Sequence, residues 1–479
     1  MMILVGCIGP GPRLPQTARP MAGSSAAVAQ FDINGDGKAD FEAALSPDRV
    51  VTGLTFDLDS KAPLTRAWPP VAPSRELLIV IDSVPFDLIN ERWQNADIRW
   101  FKPPQPVISV FPAVTDPALA EFTGTSPCQG PESMYFDGER LEVGWWNYAK
   151  AENMPWLWAM DYVLRTDLHA WGYTYPRFWM WQEIAGIQRR FRWSHKPRYW
   201  AYMLSGSSMG VHFGYAGHHE LLEAIDRLCL QVIYETRGEA RITLMSDHGH
   251  DEYKSEYVSL PTVLAKQGYN VGMVVWGERD VVVPAIGVIT AAAVYTKTPE
   301  RVAWDLLKTP AVELSMFREG DGIRVVSRDG DALIEQRGER FRYVAKTGDP
   351  LELASIIAEL RRAGATDDDG FVEEPAWFAA TWNHAFPDPC ERIWRAFHGL
   401  FVNTPDVLVS IARGYRVGDP AISANVPNLA LHGALRRISS TAMVMTTSGG
   451  PSGPIRMREL AAALESKPAR QAIGGEQER

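Results

Sequence analysis

Two short apolar runs in this chain each stop at a carboxylate. Leu77, Leu78, Ile79, Val80 and Ile81 lead into Asp82, and Ala240, Ile242, Leu244 and Met245 lead into Ser246, Asp247, His248, Gly249 and His250. Runs of this length, apolar throughout and rich in branched residues, predict buried parallel strands. The C-terminal ends of such strands are where an α/β sheet opens onto a site. Asp and His side by side at that edge offer one metal ion a hard oxygen and a neutral imidazole nitrogen. An N-cap aspartate next to a hydrogen-bonded histidine is the competing reading of Asp-His-Gly alone.

The stretches between these runs alternate in type. Residues 220–234 are amphipathic, 241–245 strand-like and 260–267 helical again. That alternation predicts an α/β fold, a doubly wound, mainly parallel sheet flanked by helices. A length of 479 residues suggests about three domain-sized units, or one large α/β domain with insertions. Two insertions stand out. Residues 135–200 hold nine of the 17 tryptophans, which predicts a Trp-rich packed subdomain or a cap lining the substrate entrance. Residues 286–349 read as a small α+β unit, with a helix at 298–307 and strands at 322–326 and 341–345. The resulting division is a linker at 1–30, an N-terminal segment at 31–73, a main domain at 74–465 and a flexible tail at 466–479.

The net charge of -10 argues against a nucleic-acid surface, because phosphate binding needs a basic face. None of the four cysteines sits in a CxxC pair, so neither a thiolate zinc site nor a dithiol redox motif is indicated. At the N-terminus Leu4, Val5, Gly6 and Cys7 match a bacterial lipobox, although no basic region precedes them. The flexible tract that follows suits a lipid anchor on Cys7 and an extracytoplasmic location (periplasmic or outer-surface); an accidental match is the alternative. Further on, Asp32, Asn34, Asp36 and Asp40 fall at even spacing around glycines, which favours a short calcium loop; a solvated turn is the alternative. The glutamate that a full EF-hand wants at the loop's twelfth position is Ala43.

Three more pieces carry chemistry. In VISVFPAVTDPALAEFTG, Thr115 heads a helical stretch, where backbone N–H groups favour an anion, or where it serves only as a cap. In YMLSGSSMGVHFG a strand-like entry meets a Ser/Gly loop ending at His212. In NLALHGAL, His432 follows a loop. Together, and in this order, the pieces resemble the alkaline phosphatase superfamily, in particular its type I phosphodiesterase/nucleotide pyrophosphatase branch. The resemblance covers roughly residues 75–465 outside the two insertions.

The resemblance implies hydrolysis of a small-molecule phosphoric ester at a two-metal site, most often zinc, through a phospho-threonine formed on Thr115. It implies that Asp82, Thr115, Asp247 and His248 hold the metal that activates the nucleophile, and that His212 and His432 help hold the other. It also implies an aspartate four residues before His212, where this chain has Ser208. A neutral serine brings no charge to offset a dication, so the second metal is expected to bind weakly or not at all. A catalytically silent scaffold that binds a ligand or partner is the alternative that this loss favours. Transfer of the phosphoryl group to an acceptor other than water is a third reading. A sulfatase is disfavoured, since Thr115 heads no CxPxR-type segment.

Overall fold

The computed structural model describes residues 14–125, 127–142, 153–285 and 287–465. Cys7 and its lipobox, Trp145 and Trp146, and the 466–479 tail lie outside the described residues.

The central sheet has six strands, in the order Ile455–Arg456, Gln105–Ile108, Thr441–Thr446, Ala240–Met245, Arg75–Ile81 and Arg198–Met203. The last three are mutually parallel. Thr441–Thr446 runs against both of its neighbours, and Ile455–Arg456 is parallel to Gln105–Ile108. Pleating sends alternate side chains of Arg75–Ile81 to opposite faces. Leu77, Ile79 and Ile81 pack in one core with helices Pro176–Trp193 and Ser205–Glu235, while Leu78 and Val80 pack in another with Thr115–Thr123 and Met457–Glu465. The chain is therefore an α/β protein with a mainly parallel sheet covered on both faces. Both strands that end in Asp82 and Asp247 lie inside it, buried from each side.

Residues 28–67 form a separate four-stranded antiparallel sheet that shares the first core. The loop at 32–40 joins its first two strands. Asp32 accepts hydrogen bonds from the backbone N–H groups of Gly35 and Gly37 at 2.6 and 2.8 Å, and Asp40 accepts from those of Ile33 and Asn34 at 2.7 and 3.1 Å. Asn34 and Asp36 accept from Asp36 and Lys38. These are Asx-type bonds that shape a hairpin connection, and the carboxylates of the loop do not converge into a group of three.

Residues 286–349 depart from the small unit that local pattern predicts. Their strands Ala291–Thr296, Val312–Glu319, Gly322–Ser327, Gly330–Arg337 and Arg340–Thr347 belong to a nine-stranded sheet. Val407–Ile411 lies between Ala291–Thr296 and Val312–Glu319 and pairs antiparallel with both. The segment is thus completed by a strand from far along the chain, a pairing that periodicity within the segment cannot reveal.

The Trp-rich span is likewise shared. Helix Pro176–Trp193 covers the central sheet with Trp179 in the core, and Arg198–Met203 is a strand of that sheet. Met154, Trp156 and helix His169–Thr174 instead reach the cavity described next. Cys128, Cys229 and Cys390 are buried free thiols. No described helix is long and apolar enough to cross a membrane.

Candidate active site

The ends of two adjacent parallel strands bring Asp82 and Asp247–His248 together, since Val80 pairs with Met245 in the ladder. Thr115 follows strand Gln105–Ile108, which lies two strands away and runs in the same direction, so it arrives at the same edge of the sheet. It is the first residue of helix Thr115–Thr123; Val114 holds the cap position, and no side chain caps the helix. The Thr115 hydroxyl is therefore not used as a cap. Its Oγ1 lies 3.3 Å from His248 Nε2.

Ligand atoms of Asp82, Asp247 and His248 lie within 4.8 Å of one another, and all three residues are buried. His248 Nε2 is 3.4 Å from Asp247 Oδ2 and 3.9 Å from Asp82 Oδ1. The ring is oriented by its other nitrogen: Nδ1–H donates to the Gly249 carbonyl at 3.1 Å, which leaves the Nε2 lone pair facing the carboxylates. Burial pushes the His248 pKa down to about 4, so the imidazole is neutral, as a ligand must be. Asp82 accepts from Ser83 Oγ and Tyr202 OH, each at 2.6 Å. Asp247 Oδ1 accepts from the N–H groups of Ser83 and His248, but its Oδ2 is buried without a hydrogen-bond partner.

Burial and the neighbouring Asp247 together hold the Asp82 carboxyl well above the usual carboxylate range. Two carboxylates side by side with no arginine or lysine bonded to either are costly unless a cation joins them. The orphaned Asp247 oxygen and the neutral His248 nitrogen face the same point. The donor set of two carboxylate oxygens and an imidazole nitrogen fits a divalent transition metal.

The remaining expected residues are placed differently. His432 stacks on His248 with ring centroids 4.1 Å apart, and its Nδ1–H donates to the Ala113 carbonyl at 3.0 Å. His212 borders the cavity, with no partner for its Nε2. The Ser/Gly stretch is not a loop but the start of helix Ser205–Glu235, which breaks at Gly214 with φ +61°. Glu183 replaces the missing cap there, accepting the N–H groups of Leu204 and Ser205 at 2.9 and 3.0 Å. Ser207 and Val211, one turn apart, line the cavity, and Ser208, one turn before His212, is fully buried with an unpartnered Oγ. Among the described residues, Asp82, Asp247 and His248 are the one group of three or more such side chains with convergent ligand atoms.

Gly206 explains part of the Ser/Gly composition. A Cβ at this position would overlap the carbonyl oxygen of Asp82. Gly206→Ala is expected to cost about 1–3 kcal/mol in denaturant unfolding, because the Asp82 backbone must shift. It is also expected to weaken metal retention; stability and metal content equal to wild type would show that the contact relaxes freely.

Asp82, Thr115 and His432 open onto a cavity of about 960 Å³. Its walls are largely apolar and aromatic, with Met134, Trp156, Tyr173 and Ile289 among them. Asp116, next to the nucleophile candidate, is held by Asn153 and Trp156 at 3.2 and 3.1 Å. Sequence reasoning did not find Ser207, Tyr202 or Asp116; the signal for Tyr202 was its register opposite Val80, two residues before Asp82, which only strand pairing discloses.

No protein-family model matches the chain, and no curated protein does. Solved structures similar to it include human ectonucleotide pyrophosphatase/phosphodiesterase 5, at 13% identity and a TM-score of 0.44 over 81% of this chain and 93% of that one. Phosphonoacetate hydrolase from Sinorhizobium meliloti 1021 is similar at 12% identity and a TM-score of 0.45, over 83% and 97%.

Proposed function

We propose that this chain is a metal-dependent hydrolase of phosphoric esters with Thr115 as its nucleophile. The observation that carries the reading is the approach of Thr115 Oγ1 to within 3.3 Å of His248 Nε2, at the edge of the buried Asp82, Asp247 and His248 group. A divalent cation held by those three residues supplies Lewis acidity, lowering the pKa of the hydroxyl beside it and offsetting phosphate charge.

The chain's own groups do the rest. Thr115 Oγ1 forms a bond to phosphorus as the bond to the ester oxygen breaks, and the departing alcohol carries the hydroxyl proton. Water then cleaves the phospho-threonine, its oxygen passing to phosphorus and one proton returning to Oγ1. The first backbone N–H groups of helix Thr115–Thr123 face the transferred group with the positive helix end. The apolar walls exclude water from the flank of the ester.

One cation, rather than two, is the reading this geometry supports: among the described residues His212 and His432 stand at the cavity without a carboxylate joining them in a convergent group. Elemental mass spectrometry of metal-supplemented protein is expected to find about one transition-metal equivalent per chain. Asp247→Asn keeps the shape and removes the charge, so it is expected to lose most of that metal and all measurable diesterase turnover. Wild-type turnover in Asp247→Asn, or a metal-supplemented wild type that binds none, overturns the proposal; the second result would make the chain a ligand-binding scaffold.

A further inference from the structure

A site with one cation leaves one end of the reaction without a charge to meet it. An in-line displacement sets the attacking and departing oxygens on opposite sides of phosphorus, and negative charge builds on the departing one. Thr115 approaches the buried group at His248. A donor is needed for the oxygen that leaves on the other side. No lysine or arginine lines the cavity among its described residues, so that donor is neutral.

Several neutral donors on the wall are already engaged. Tyr202 donates to Asp82 at 2.6 Å, and the Asn428 amide donates to the carbonyls of Ser423 and Val426 at 3.0 and 2.6 Å. A pair of hydroxyls is not fully used. Tyr173 OH and Ser207 Oγ lie 2.8 Å apart on the cavity wall, and neither makes another hydrogen bond among the described residues. Two hydroxyls carry two protons, and the bond between them uses one. The other is left to donate. Ser207 follows Gly206, at which a Cβ would overlap the Asp82 carbonyl oxygen, so the pair stands beside Asp82. Burial and the Asp82 charge both raise the Tyr173 phenol above its usual pKa, which keeps its proton in place. The phenol is the better donor of the two. With Ser207 O–H donating to Tyr173, the hydrogen bond that Tyr173 donates onward is strengthened.

We infer that the Tyr173–Ser207 pair is an oxyanion site in which Tyr173 O–H donates to the departing ester oxygen, the task a second cation would otherwise perform. The inference rests on the hydrolase reading for that task, and on the hydroxyl pair alone for anion binding. As the bond from Thr115 to phosphorus forms and the ester bond breaks, Tyr173 keeps its proton and only donates a hydrogen bond; the departing oxygen takes the proton of Thr115.

The test compares methyl 4-nitrophenyl phosphate with methyl phenyl phosphate, whose departing oxygen holds more charge because no nitro group withdraws it. Tyr173→Phe keeps the ring and removes the donor. It is expected to lower kcat/KM about a hundredfold for the phenyl ester and less than about tenfold for the nitrophenyl ester, with metal content and thermal midpoint near wild type. Ser207→Ala is expected to cost less, and to add little to Tyr173→Phe, because both act through one contact. A purely structural tie between helices His169–Thr174 and Ser205–Glu235 would affect both esters alike. Equal losses on the two esters, or no loss, therefore overturn the inference and leave phosphoester hydrolysis standing. If wild type turns over neither ester, the hydrolase reading falls, and calorimetry with inorganic phosphate on metal-supplemented protein decides the oxyanion site. Binding weakened about tenfold in Tyr173→Phe upholds it; equal binding, or none to either protein, overturns it.

Discussion

Thr115→Ala is expected to lower kcat/KM toward an activated phosphodiester by about a thousandfold or more, with metal content and thermal midpoint close to wild type. The separation of the two effects follows from the local structure. A threonine that caps a helix would cost about 1 kcal/mol of stability when replaced by alanine. Thr115 is one position too late for that, inside helix Thr115–Thr123, with Val114 in the cap position and no side-chain cap bond. Its hydroxyl instead faces His248 Nε2 at 3.3 Å. Removing it should therefore leave the fold alone and take away the attacking atom. Thr115→Ser keeps the hydroxyl and is expected to keep measurable turnover, slowed because the lost methyl frees the rotamer. Turnover of Thr115→Ala near the wild-type rate would place the nucleophile elsewhere.

Arg392→Met is expected to destabilise the protein by about 3–5 kcal/mol, the largest stability loss anticipated here for a change outside the site. Arg392 lies in helix Pro389–Phe397 and is 3% exposed. Its Nη1 donates to the carbonyls of Pro387 and Leu435 at 3.0 and 3.2 Å, and its Nη2 to the carbonyl of Val110 and to Ser440 Oγ at 2.9 and 2.6 Å. Val110 lies on the approach to Thr115, Leu435 shortly after His432, and Ser440 just before the strand Thr441–Thr446. One guanidinium thus ties together three segments that meet at the cavity. Methionine fills similar space and offers no donors, so buried acceptors are left unpaired and Asp388 loses a neighbouring positive charge. Denaturant unfolding measures the loss; a change below about 1 kcal/mol would mean that water enters and replaces the donors.

The elements with a strong local signature were legible. The apolar runs before Asp82 and Asp247 had to be buried strands, because nothing else of that length hides branched side chains on both faces. The same holds for helices Leu260–Lys266 and Pro299–Leu306, which the pattern placed almost residue for residue. Where the signal was weak, the pattern misled. Ser and Gly after Tyr202 read as a loop, yet a helix starts at Ser205 because Glu183, distant in sequence, satisfies its first N–H groups. A helix sets Ser207 and Val211 one turn apart on the cavity wall, and Ser208 one turn before His212.

By itself the sequence determined the α/β class, the strand ends that carry Asp82, Asp247 and His248, and the chemistry those side chains can perform, because burial and ligand type are local properties of residues. Only the tertiary structure decided which of them meet. The distance from Thr115 to His248, the hold of Tyr202 on Asp82 and the strand Val407–Ile411 that completes the second sheet all depend on contacts between segments far apart in the chain. Periodicity reports which face of an element is buried, and it carries no information about which other element will bury it.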